Sequence, residues 1–206
     1  MLRLRSATMS MMTKKTGENI STFIRLRSEQ ALNIQINTKI QKQKEMSETD
    51  FTTTLTVDKS PKEAFQAITN VRGWWSEEIE GGTAKLNDVF DYHFRDVHRC
   101  KIKLTEVIPD QKVVWWVMDN YFNFTKDKSE WKDTTISFEI TRKDDKTQIR
   151  MTHHGLVPDY ECYDICQDSW TNYMQHSLRD LIMTGKGKPN SAEKPQTENE
   201  RKLGKV

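Results

Sequence analysis

A chain of 206 residues, 35% hydrophobic and 30% charged, has room for one domain with a true core, and its composition leaves part of the chain outside that core. The net charge of +2 hides an asymmetry: residues 1–45 carry nine Lys/Arg against three Glu, while residues 46–206 are net −4, which excludes the basic footprint of a nucleic-acid-binding domain. No run approaches the ~20 apolar residues of a membrane span, and three cysteines with no secretory signal ahead of them argue against a disulfide scaffold and for a reducing cytoplasm.

Residues 1–45 mix Ser, Thr, Lys, Arg, Gln and Asn without sustained periodicity and read as a basic, disordered extension. Their acid-poor composition also has the character of an organelle transit peptide, although a true start at Met46 is the plainer reading. Organised sequence begins directly afterwards. FTTTLTV places Phe51, Thr53, Leu55 and Val57 on one face of a half-buried strand. SPKEAF then predicts a helix start, with Ser60 as N-cap, Pro61 at the first helical position and Glu63 closing a capping box. Ala64, Phe65, Ile68 and Val71 give its apolar face, and Gly73 is its expected end, just before Trp74 and Trp75.

Four or five strands follow in the pattern. VFDYHFR puts Phe90, Tyr92 and Phe94 on one side; RCKIKLTEV does the same with Cys100, Ile102 and Leu104. VVWWVM is apolar on both faces, so either Trp115 or Trp116 points inward, and a slip of one residue would exchange them. DTTISFEI alternates through Ile136, Phe138 and Ile140, and QIRMTHH through Ile149, Met151 and His153. Short turns between such strands imply an antiparallel sheet with one face in need of cover.

The cover is the segment after Pro158. With Asp159 as the expected N-cap, Cys162, Cys166, Trp170, Tyr173, Met174, Ser177, Leu178 and Leu181 share one arc at ~100° per residue. A helix of that length spans roughly 35 Å, enough to cross a sheet, and Gly185 stands where its C-terminus is due. The remainder, residues 186–206, reads as a disordered charged tail. The domain is therefore bounded at residues 46–185.

His153, His154, Cys162 and Cys166 invite a metal or redox reading. The two histidines alternate to opposite faces of a strand, so at most one joins the thiols, and no metal site and no cofactor is expected. The cysteines read as small buried hydrophobes. His153 shares the inward phase of Met151. It is either a hydrogen-bonded core histidine or a weak candidate for a polar, proton-moving group inside a cavity. GKGKP at 185–189 lacks the strand context and the following Ser/Thr of a phosphate loop.

The stretches SPKEAFQAITNVRGWWS and THHGLVPDYECYDICQDSWTNYMQHSLRDLIMTGKGKPN resemble the START-like (SRPBCC) helix-grip superfamily. Within it they are similar to small bacterial single-domain members of the family of activators of heat-shock protein 90 ATPase homologues. The resemblance covers about residues 48–185. It implies an α+β helix-grip fold: a curved antiparallel sheet of about six or seven strands wrapped around a long C-terminal helix, with short helices after the first strand. It also implies a mostly apolar cavity, to which Trp74, Trp75, Phe90, Tyr92, Phe94, Trp115, Phe138, Met151, His153, Trp170, Tyr173 and Met174 are carried over by position, each equally readable as ordinary core. The implied function is binding of a small hydrophobic or aromatic molecule. A chaperone-associated interaction protein and a cyclase- or hydrolase-type enzyme using His153 are the alternatives. Eukaryotic co-chaperones of that type have a further N-terminal domain, and residues 1–45 are too short and too polar to supply one.

Overall fold

Every alternating segment pairs as a strand of one antiparallel sheet in the computed structural model of the chain, which describes residues 25, 29, 30, 32–36 and 50–204. The strands are β1 (Phe51–Val57), β2 (Ile79–Gly81), β3 (Val89–Phe94), β4 (His98–Ile108), β5 (Lys112–Phe122), β6 (Thr135–Lys143) and β7 (Lys146–His154). Their order is β1-β7-β6-β5-β4-β3-β2, so each hairpin neighbour in sequence is a neighbour in space except β1, which closes against β7. The register brings Phe51 and Ile136 to either side of His153, and Phe138 opposite Met151, so the inward phases of neighbouring strands coincide. Two register shifts between β4 and β5, at Lys101/Ile102 and Leu104/Glu106, add twist and help the sheet curve. The pattern on β5 resolves by burial: Trp115 is fully buried and Trp116 is not.

Helix α1 (Pro61–Thr69) starts as the sequence predicts. The Ser60 hydroxyl accepts from the Glu63 N–H, and the Ser60 N–H donates to the Glu63 carboxylate at 2.9 Å. The Ser60 N–H and hydroxyl, both donating to that carboxylate, pull the Glu63 pKa down to about 2 together with Lys59. The α-helix stops at Asn70, earlier than Gly73; Val71–Gly73 continues as a single tighter turn that delivers Trp74 and Trp75 into the core.

The long helix has three parts: α2 (Tyr163–Asn172), a π-helical turn (Tyr173–Leu178) and α3 (Arg179–Thr184). Asp159 is not its cap. The helix begins four residues later, and the carboxylate of Glu130, reaching over from the β5–β6 loop, accepts from the N–H groups of Glu161 at 2.7 Å and Cys162 at 2.9 Å. An acceptor from a distant loop thus fills the role that a local side chain usually fills. The π turn widens the helix by one residue, which advances the buried face. Ile182 is buried in place of Leu181, the position that regular periodicity selects. Gly185 ends the helix at φ 79°, the left-handed conformation that glycine adopts without a Cβ penalty.

Residues 186–204 correct the expectation of a disordered tail. They run back along the domain as a strap. Lys188 N–H donates to the Ser177 hydroxyl at 2.7 Å, Asn190 N–H to the Trp75 carbonyl at 2.9 Å, and Glu77 N–H to the Asn190 carbonyl at 2.8 Å. Arg95 donates to the Ala192 carbonyl at 2.7 Å, and Ala192 N–H to the Glu78 carboxylate at 2.7 Å. A Cβ on Gly187 would stand 2.2 Å from the Gly73 carbonyl oxygen, so only glycine permits this approach. The strap ends in α4 (Glu198–Leu203), opened by a second capping box between Thr197 and Glu200. Composition read as disorder overlooked that polar side chains can anchor a segment to an already folded surface.

The chain divides into two compact units, residues 1–45 and 46–206. In the first, the described residues are helical, and Arg25 pairs with Glu29 four residues on. The expectation of disorder for 1–45 falls mainly outside the described residues.

Candidate functional site

Aromatic side chains from four sources meet under the curved sheet. Trp75, delivered by the turn after α1, stacks on Tyr92 of β3 at 4.4 Å, lies parallel to Trp115 of β5 at 5.9 Å and leans on Trp170 of α2 at 5.1 Å. Behind it Trp74, Trp115, Phe90 and Phe138 pack against one another as solid core. In front of it, towards the strap, the packing opens into a cavity of about 60 Å³.

The cavity is bounded by Tyr92 and Phe94 on β3, His98 on β4, Phe122 at the end of β5, Phe124 and Trp131 in the following loop, Ile165, Cys166, Ser169, Trp170 and Tyr173 on the long helix, and Asn199, Glu200 and Leu203 on α4. Of the twelve positions carried over from the sequence, Trp75, Tyr92, Phe94, Trp170 and Tyr173 line it. Trp74, Phe90, Trp115, Phe138, Met151, His153 and Met174 do not; they fill the interior behind it, each fully buried or nearly so.

His153 is fully buried, as its phase requires, but it is committed elsewhere. The Thr134 hydroxyl donates to the Trp131 carbonyl at 2.5 Å, so it accepts from His153 Nε2 at 2.9 Å, and the Trp170 indole N–H donates to His153 Nδ1 at 3.2 Å. Both nitrogens are used by a neutral ring. Burial, with His154 and His98 nearby, pushes its pKa down to about 3. The arrangement fixes the wall on which Trp131 and Trp170 stack, 5.7 Å apart and 14° from parallel. His154 faces the other way, to Asp50 and Ser137.

The histidine on the cavity is His98. Its Nε2 lies 3.0 Å from Asn120 Oδ1, and the Asn120 amide is oriented by its own donation to the Lys128 carbonyl at 3.2 Å. Oδ1 can only accept, so Nε2 carries the proton. His98 is a second inward histidine beside His153: it continues the alternation of Cys100, Ile102 and Leu104 backwards by one step. Burial pushes its pKa down to about 3 as well.

At the other end of the cavity a polar network ties the strap down. The Tyr173 hydroxyl donates to Glu200 Oε1 at 2.5 Å, and the Asn190 amide donates to the same oxygen at 2.8 Å and contacts the Tyr92 hydroxyl at 3.3 Å. Glu200 Oε2 accepts from the N–H groups of Gln196 at 2.6 Å and Thr197 at 3.0 Å. Burial, reinforced by the Glu200 charge, holds both tyrosine hydroxyls well above their ordinary pKa, so they stay protonated donors. Glu200 and Asn190 lay in the stretch read as tail, and Trp131 in a loop without periodicity, so none was singled out from the sequence.

Cys100, Cys162 and Cys166 are free and buried, and burial raises the thiols of Cys100 and Cys166 well above the usual range, which leaves little thiolate for nucleophilic work. Among the described residues no group of three or more His, Cys, Asp or Glu side chains is placed to hold a metal ion, and no helix is long and apolar enough to cross a membrane.

The sequence matches the family model described as Activator of Hsp90 ATPase homolog 1-like protein over residues 58–183. No curated protein matches it. Among solved structures, the solution structure of the Aha1 dimer from Colwellia psychrerythraea is similar at a TM-score of 0.55 and 24% identity, covering 67% of this chain and 98% of that one. A protein from Staphylococcus saprophyticus is similar at 0.49 and 15% identity, covering 69% and 98%. DynU16, from the dynemicin biosynthetic locus, is similar at 0.49 and 13% identity, covering 68% and 49%. At such identity the Colwellia likeness speaks for the fold, which is the helix-grip arrangement.

Proposed function

The chain belongs to the Activator of Hsp90 ATPase homolog 1-like family, and from that premise we propose that its domain binds a small hydrophobic or aromatic molecule in the cavity between the sheet and the long helix. The observation that carries the reading is the lining itself: a concave, ring-walled space with a few polar groups converging on it, set between the sheet, the long helix and the strap.

Its size defines how binding must proceed. A space of about 60 Å³ holds a few waters, whereas small-molecule sites usually run from ~300 Å³ upward. The sheet and the long helix are packed solid behind it, so room comes from the front. There α4 supplies Asn199, Glu200 and Leu203 to the lining while none of its own residues is fully buried. A ligand larger than a few heavy atoms therefore displaces the strap and takes its place against Trp75, Tyr92, Trp170 and Tyr173. Regions held by few apolar contacts are the ones that open at low free-energy cost.

Native mass spectrometry of the purified full chain, set against its denatured mass, tests the reading. A reproducible excess mass that disappears on denaturation, together with protection of the strap-covered aromatics when the extracted compound is added back, is the expected result. A chain that carries no extra mass and takes up no member of a panel of aromatic compounds would defeat the proposal and turn attention to chaperone association.

A further inference from the structure

We propose that the ligand is an aromatic alcohol, its hydroxyl seated between the indole N–H of Trp131 and Nδ1 of His98. The inference rests on the ligand-binding reading above and names the class of molecule that the cavity selects.

Trp131 is 4% exposed, and its Nε1 has no hydrogen-bond partner. A buried N–H left unpaired is uncommon, because the lost bond to water is not replaced. Beside the Trp131 N–H lies the thiol of Cys166, which is only a weak acceptor and which itself lines the cavity. Trp115 also has an unpaired Nε1, but that ring is enclosed by Trp74, Trp75, Phe90 and Phe138 and does not reach the cavity.

His98 supplies the complement. With its proton on Nε2 and given to Asn120, Nδ1 is left with a lone pair and no partner among the described residues. Because burial keeps the ring neutral down to a pH of about 3, that lone pair is available at any physiological pH. The His98 and Trp131 rings meet edge to face with centroids 4.8 Å apart, so the residue with the unused acceptor and the residue with the unused donor touch on one cavity wall.

A single group that satisfies both must accept and donate at once. A hydroxyl does so; an ether or ketone oxygen only accepts, an ammonium only donates, and a methyl does neither. The rest of the wall is made of rings, Trp170 parallel to Trp131 and Phe122 edge-on to it at 5.4 Å, which favours a flat aromatic body behind the hydroxyl.

The test is calorimetric titration of the full chain with two isosteric pairs, phenol against toluene and 2-naphthol against 2-methylnaphthalene. The expected result is binding of the hydroxyl compounds about tenfold or more tighter than their methyl counterparts. That ratio falls to near one in Trp131→Phe, and independently in His98→Phe; a merely structural role would weaken both members of each pair alike. Either variant suffices if the other fails to fold, as judged by its melting curve. Equal affinity within both pairs, or a preference that survives Trp131→Phe, overturns this inference and leaves the cavity reading standing. No binding by any of the four compounds overturns both.

Discussion

Removing the Glu200 carboxylate, as in Glu200→Ala, should release the strap without unfolding the domain. The side chain accepts four hydrogen bonds: from Tyr173 and Asn190 on one oxygen, and from the Gln196 and Thr197 N–H groups on the other. Bonds to a charged acceptor contribute ~1.5–3 kcal/mol each when fully desolvated, while the Thr197 cap itself stays in place. Glu200 is only partly buried and the four bonds are not additive, so we set the combined effect at about 3 kcal/mol. That raises the open population of residues 189–204 roughly a hundredfold. None of the lost bonds belongs to the sheet ladder or to the core behind Trp75, so the global transition should move far less. Hydrogen exchange read by mass spectrometry separates the two effects: faster exchange confined to peptides covering 189–204, with β5–β7 unchanged at a near-native melting temperature. Unchanged strap exchange would refute the idea that this carboxylate holds the strap. A uniform acceleration across the sheet would refute the idea that the strap opens as a separate unit.

Other substitutions and conditions give equally definite expectations. His98 and His153 have folded pKa values of about 3 against 6.5 for the free side chain, so the unfolded chain binds the extra protons. Stability is therefore full above pH 6.5 and falls as pH drops from there towards 3, by up to ~2 kcal/mol per histidine by pH 5; urea melts showing equal stability at pH 7.5 and 5 would contradict this. Glu130→Ala leaves two N–H groups at the start of the long helix without their acceptor and should cost about 2 kcal/mol in urea titration, with Glu130→Gln recovering part of it. Gly187→Ala puts a methyl 2.2 Å from a backbone oxygen. It should expose the strap to limited proteolysis between 186 and 197 while the core resists; an unaltered cleavage pattern would show that the approach is not as close as described.

Much of this architecture was legible because it is periodic. The capping box at Ser60, the two-residue phase of five strands and the arc from Cys162 to Leu178 each follow from a repeat that burial of one face imposes. The short strand Ile79–Gly81 escaped because three residues carry no phase. The start of the long helix was misplaced because its acceptor comes from Glu130, some thirty residues away. The cavity was half legible. Positions on strands and helix could be assigned an inward face, but phase does not distinguish the solid core around Trp74 and Phe138 from the open end beside Tyr92 and Trp170. His98 could have been found by extending one alternation by two residues. Trp131 and Glu200 could not, since a loop and a strap are defined by what they touch.

The wide turn at Tyr173–Leu178 also governs which changes of length the domain tolerates. Upstream of it the helix faces the cavity; downstream, α3 packs on α1 and β1. The six residues of the wide turn cover nearly the rotation that five cover in ordinary helix, so deleting one of them would restore ordinary winding and leave Ile182 on its seat. The contacts of α3 would thus persist, whereas a deletion within α2 would swing Trp170 away from Trp131 and His153 with nothing equivalent to replace it. Length variation along this helix should therefore be confined to the turn.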